Sequence, residues 1–201
     1  MPAQYTDPAV SRKRFDREIS EYHSFGDQYR RQGWFLIEAH FPRVFVVLAT
    51  SKLNPAAVVM GVKFDYTNYD AAPPSVQIVN PFTGVPYKYK ELPSHLNRAL
   101  PDQEIPLPGI MPEGPKMVIG AAQPYMQAYG DEIPFLCLAG VREYHEHPAH
   151  SGDVWELHRT TGAGRLVRIL EIIYRYGIDP ITGFGVQLVP QVGLNYGPPP
   201  S

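Results

Sequence analysis

One cysteine, little charge and no long apolar run are what this 201-residue sequence withholds. With Cys137 alone no internal disulfide forms, which excludes a disulfide-stapled secreted scaffold. Charged residues make up only 19%, and Lys+Arg 18 against Asp+Glu 20 leave a formal net charge of −2. Such a chain has no overall positive field to gather phosphate backbones, so nucleic acid is not the expected partner. No apolar stretch is long enough to cross a bilayer, and the opening MPAQYTDPAVSRKR lacks the apolar centre of a secretory signal. A cytoplasmic protein that does not enter membranes is predicted. Internal repeats are missing too.

Proline is abundant instead, with 22 residues, about twice average usage. So many positions without a backbone donor argue against a helical bundle and for a loop-rich α+β fold. Residues 11–25 place Phe15, Ile19 and Tyr22 at helical spacing, with Ser11 as N-cap and Gly26 as stop. From residue 33 the period changes. WFLIEAHF, RVFVVLAT, AAVVMGVKF and SVQIV are β-branched and aromatic runs separated by Pro42, Asn54-Pro55 and Pro73-Pro74. The gaps are too short for crossover helices, which predicts a four-stranded antiparallel meander. Residues 81–133 form a Pro-rich insertion without sustained period, read as ordered loop with a strand at 116–119 or a helical turn at 94–99. Leu166, Ile169, Leu170 and Ile173 recur at helical spacing between Thr160 or Thr161 as cap and Gly177 as stop, giving an amphipathic C-terminal helix. The whole of 1–201 reads as a single domain ending in a frayed tail at 195–201.

Chemistry-bearing residues concentrate in PFLCLAGVREYHEHPAHSGDVWELHR, which holds Cys137 with His145, His147, His150 and His158. Three readings follow. The apolar PFLCL setting suits a small buried hydrophobe. Thiolate and imidazole together suit zinc, although C-x7-H-x-H-x2-H matches no common zinc spacing. A solitary thiol near imidazoles is also a nucleophile, activated when a neighbouring base takes its proton. His145 and His147, two apart, would share one face of a strand. Asp153 or Glu156 would orient a histidine.

The order of these pieces resembles the ubiquitin-conjugating enzyme family. The segment VKFDYTNYDAAPPSVQIVNPFTG is similar to that family's strand, tyrosine-containing turn, Pro-Pro pair and following strand, here Phe64, Tyr69, Pro73, Pro74, Val76 and Ile78. Cys137-Leu138, Trp155 and the helix around 166–173 follow in the family's order. The resemblance implies a carrier in which Cys137 accepts a ubiquitin-like protein as a thioester from an ATP-using activating enzyme and passes it to a substrate amine. It requires no cofactor at this step. It also implies that the basic face of Arg12, Lys13 and Arg14 receives the activating enzyme. The family's His-Pro-Asn motif before the cysteine is missing, Asn80-Pro81 lying far upstream, so His145 or His147 is expected to stand in as base or polarising group. Divergent bacterial members occur in conjugation systems tied to antiviral defence. A related bacterial group, described as metal-binding, carries a Cys, Glu, His, His signature that Cys137, Glu143, His145 and His147 would fit. The alternative is therefore a zinc-binding, catalytically silent interaction module on the same fold.

Overall fold

The computed structural model describes residues 4–183 and 185 apart from 102, 107–115, 121 and 129–131, and for 103–106 and 116–119 it describes the backbone. Helix α1, Pro8–Ser24, starts earlier than Ser11 would have it. Asp7 is the N-cap, its carboxylate accepting from the Ala9 amide at 2.8 Å, and Pro8 occupies the first turn, where no amide donor is needed. Ser11 instead faces inward with Phe15, Glu18 and Tyr22. Nor does Gly26 stop the helical run. Phe25 breaks it for one residue and Gly26–Gln32 continues as α2, ended by Gly33 in the left-handed conformation at φ 91°.

The predicted meander forms one sheet in the order β1-β2-β3-β4, with β1 at Trp34–His40, β2 at Arg43–Thr50, β3 at Ala57–Asp65 and β4 at Ser75–Val79. All three pairings are antiparallel, as the short connections require. Register puts Val44, Phe64 and Val76 in one cross-strand row and Val46, Val62 and Ile78 in the next, so one face is continuous aliphatic and aromatic surface. Against it pack α1 and α4, Leu166–Ile173, whose buried side is Leu166, Val167, Ile169, Leu170 and Ile173. Each such side chain removed from water contributes about 1.5–3 kcal/mol, which makes this layer the source of stability. Phe15 meets Phe41 and Tyr66 edge to face, both at 5.7 Å between ring centres.

Helix α4 is not capped by Thr160 or Thr161, which lie in a separate 3₁₀ turn, Arg159–Thr161. The Glu18 carboxylate of α1 takes that role from outside, accepting from the Leu166 amide at 3.2 Å. Gly177 does not end the helical path either, since a π turn, Tyr174–Ile178, runs through it and carries it against Leu96.

The Pro-rich segment has more order than its composition suggests. After a 3₁₀ turn at Tyr89–Glu91, β5 at Asn97–Ala99 pairs with β8 at Ala122–Pro124, and β6 at Gln103–Pro106 pairs with β7 at Lys116–Ile119. Residues 116–119 are thus the predicted strand, whereas 94–99 ends in strand rather than forming a helical turn. The two ladders nest. Ala99 faces Ala122 and Gln103 faces Ile119, so the two ladders follow one another along a two-stranded arm. At its root the Tyr125 amide donates to the Leu96 carbonyl at 3.2 Å. The expected frayed tail at 195–201 lies outside the described residues.

The connection between β3 and β4 carries the Pro-Pro pair. Its carbonyls are taken by Arg142, whose amide donates to Pro74 at 2.9 Å and whose guanidinium donates to Pro73 at 3.2 Å and Thr67 at 2.7 Å. A buried guanidinium with carbonyls for partners holds the next segment, 134–161, over this corner.

Candidate functional site

Cys137 follows two short strands, β9 at Met126–Gln127 and β10 at Phe135–Leu136, which pair antiparallel and bury Met126 and Leu136. Its own amide donates to the Tyr125 carbonyl at 2.7 Å, and the Leu138 amide donates back to Leu136 at 2.8 Å. The second bond closes a three-residue turn with Cys137 at its apex. Alternation then sends Leu136 inward and leaves the sulfur half-buried. Burial pushes the Cys137 thiol up, so at neutral pH it carries its proton and needs a base to become a nucleophile.

The imidazole bonded to that sulfur belongs to neither of the two histidines favoured by sequence. The His150 Nε2 lies 3.5 Å from the Cys137 sulfur. His145 sits between two backbone carbonyls, with Nε2 2.7 Å from Ala139 O and Nδ1 2.7 Å from Asp153 O, so both ring nitrogens are engaged by backbone. His147 stacks on Phe135 at 5.0 Å, and its Nδ1 accepts from the Ala149 amide at 3.3 Å. Residues 142–150 are not extended, which is why the two-residue spacing does not place His145 and His147 on one strand face. Helix α3, Arg142–Glu146, carries His145; His147 is its C-cap; Pro148–His150 then turns as 3₁₀ and returns His150 to the sulfur.

Around His150 the polar groups form a chain. Tyr144 stacks on its ring at 4.0 Å with 20° between planes, and the Tyr144 hydroxyl donates to Asp153 Oδ2 at 2.7 Å. The other carboxylate oxygen of Asp153 faces His158 Nε2 at 2.5 Å. Hydrogen bonding from Tyr144 and then His158 holds the Asp153 carboxyl below its ordinary value, and the same bond pushes the Tyr144 phenol up to about 12. Sequence alone offers no signal for Tyr144, because its role depends on which ring it covers. Trp155 is buried beneath the loop and donates to the Asp70 carbonyl at 2.8 Å.

The four residues of the metal signature diverge. Glu143 points at β4, accepting from the Ser75 hydroxyl and from the Val76 amide at 3.3 Å, and burial pushes its carboxyl up despite the opposing hydroxyl bond. With His145 held by carbonyls and Glu143 by β4, these side chains do not present one donor set. Among the described residues no three His, Cys, Asp or Glu side chains group to hold a metal ion. Arg12 and Lys13 are exposed on α1, while Arg14 pairs with Asp70 at 3.7 Å beside an open cavity of about 780 Å³ also lined by Arg17, Arg159 and Arg165. Asn80 caps its own turn, its side chain accepting from the Phe82 and Thr83 amides at 2.9 and 3.0 Å, and so takes no part at Cys137.

A family profile described as Y4jH-like matches residues 6–181, which take in the sheet, both long helices and the cysteine loop. This chain belongs to the Y4jH-like family. It is 42% identical over 201 residues to the protein y4jH of Sinorhizobium fredii, a match covering 98% of this chain and 96% of that protein. A likeness of that extent carries the same fold into the Sinorhizobium relative. Within the Y4jH-like fold of this chain, no described helix is long and apolar enough to cross a membrane.

Proposed function

We propose that this Y4jH-like protein is a thiol carrier of ubiquitin-conjugating type. Its cysteine accepts the C-terminal carbonyl of a ubiquitin-like protein from an activating enzyme and delivers it to an amine. The observation that carries the reading is the Cys137 sulfur at the apex of a tight turn, 3.5 Å from His150 Nε2. His150 takes the thiol proton as the sulfur attacks the incoming thioester. The new carbon–sulfur bond forms, the bond to the activating enzyme's sulfur breaks, and that sulfur leaves as a thiol with the proton His150 returns. Attack by the amine reverses the roles, with the Cys137 sulfur as leaving group. The succession of α1, meander, Pro-Pro corner, cysteine turn and α4 supports the same reading, and Arg12, Lys13 and Arg14 are the candidate docking face. A lone unpaired thiol suits a reducing compartment, the cytoplasm. The zinc alternative has less support, because Glu143 and His145 spend their donor atoms elsewhere.

Incubating the protein with its activating enzyme, ATP and ubiquitin-like partner is expected to give a thiol-sensitive adduct on a non-reducing gel. The adduct disappears in Cys137→Ala and forms more slowly in His150→Ala. No adduct with a competent partner set overturns the carrier reading. Near-stoichiometric zinc, lost in His147→Ala, would put the metal reading in its place.

A further inference from the structure

Resting on that reading of Cys137 and His150, we infer that Tyr144, anchored by Asp153, is a positioning residue that sets the His150 imidazole against the sulfur. An imidazole at the end of a single 3₁₀ turn has two free torsions, and a nitrogen lone pair is useful only along a narrow direction. The ring plane therefore has to be fixed by something other than the backbone. Tyr144 covers one face of His150 at 4.0 Å and 20°, close enough to resist tilting, and the His147 ring flanks it at 5.7 Å.

Stacking alone does not fix a ring whose partner is free to swing. Tyr144 is held at its far end by the bond from its hydroxyl to Asp153 at 2.7 Å, and Asp153 is held in turn by His158 at 2.5 Å. The backbone of the same two segments is joined by His145, which bridges the Ala139 and Asp153 carbonyls. The cysteine turn, α3 and the 153–158 stretch are thus tied as one piece, and Tyr144 is the member that stacks on the His150 ring. The direction of each shift agrees with this arrangement. Tyr144 stays a neutral donor and Asp153 a charged acceptor across the range in which a thiol and an imidazole exchange a proton.

The test needs no partner protein. Alkylation of the full chain by iodoacetamide, followed between about pH 5 and 9, reports the reactive fraction of Cys137. Loss of His150 is expected to lower the rate at neutral pH about tenfold or more, because the buried thiol then has no imidazole beside it to take its proton. Tyr144→Ala is expected to reproduce that profile, and His150→Ala with Tyr144→Ala to show no further loss, because both act through one imidazole. Asp153→Asn, whose amide oxygen still accepts from the phenol, is expected to keep the wild-type profile that Asp153→Ala loses. If Tyr144→Ala does not fold, Tyr144→Phe in the same cycle replaces it, keeping the ring but losing the anchor. Multiplying losses, or Tyr144 variants that leave the profile untouched while His150→Ala shifts it, overturn the inference. An unshifted profile in His150→Ala removes the base as well, and the inference with it. The expected profiles of all these variants, together with no thioester in the activation assay, overturn the carrier reading and leave the positioning role standing.

Discussion

Gly140, a residue with no reactive group, decides how closely the cysteine turn approaches the loop before α4. A Cβ built on Gly140 would lie 2.0 Å from the Ala163 carbonyl oxygen and 2.4 Å from its carbon, backbone atoms that cannot turn aside. Gly152, in the same segment, has nothing within 4 Å. Gly140→Ala is therefore expected to cost about 3 kcal/mol in urea unfolding, with Gly152→Ala changing stability by less than about 0.5 kcal/mol. Equal effects of the two would mean that the turn does not press on the loop before α4. Reading residues from sequence succeeds here only in part. Cys137 stands out by being solitary, and Trp155 by its size. Which of four histidines meets the sulfur depends on a five-residue helix followed by a 3₁₀ turn, and side-chain pattern does not encode that path.

At the scale of elements, the strands and α4 are legible because each buries one face and the pattern of burial is written in the residues. Alternate positions such as Met60, Val62 and Phe64 of β3 are buried in the core, and α4 buries a stripe of aliphatics. End points are less legible. Asp7-Pro8 and Ser11 are both cap chemistry, and the proline selects the earlier one. The arm's short ladders escape because two to four residues are too few to show alternation. How α3 sits on β4 is a matter of one carboxyl. Burial raises Glu143 above its unfolded value, against the bonds from Ser75 and Val76. A carboxyl raised on folding favours the fold in its protonated form. That contribution is complete below the ordinary Glu value, about 4.3, and is lost as pH rises through the folded value. Glu143→Gln, which imitates the protonated group, is expected to gain stability relative to wild type between about pH 4 and 7, seen as a growing difference in unfolding midpoint. A difference that stays flat with pH counts against Glu143 being the desolvated group on this contact.

Over the whole molecule, one helical layer covers one sheet face, and Glu18 links three parts of it. Its carboxylate takes the Leu166 amide at 3.2 Å and the Tyr69 hydroxyl at 3.4 Å, so α1, the β3–β4 corner and the start of α4 share one acceptor. The arm's two ends are bonded to each other through Leu96 and Tyr125. A chain in which a short turn replaces 98–123 is expected to unfold in one cooperative transition near the wild-type midpoint and to keep the alkylation rate of Cys137. A broad transition or an altered rate would show that the arm supports the fold. Because those ends already meet, residues can be gained or lost at the far end without moving the Tyr125 carbonyl that receives the amide of Cys137. Relatives are therefore free to differ there in length and character while the thiol stays at the same address.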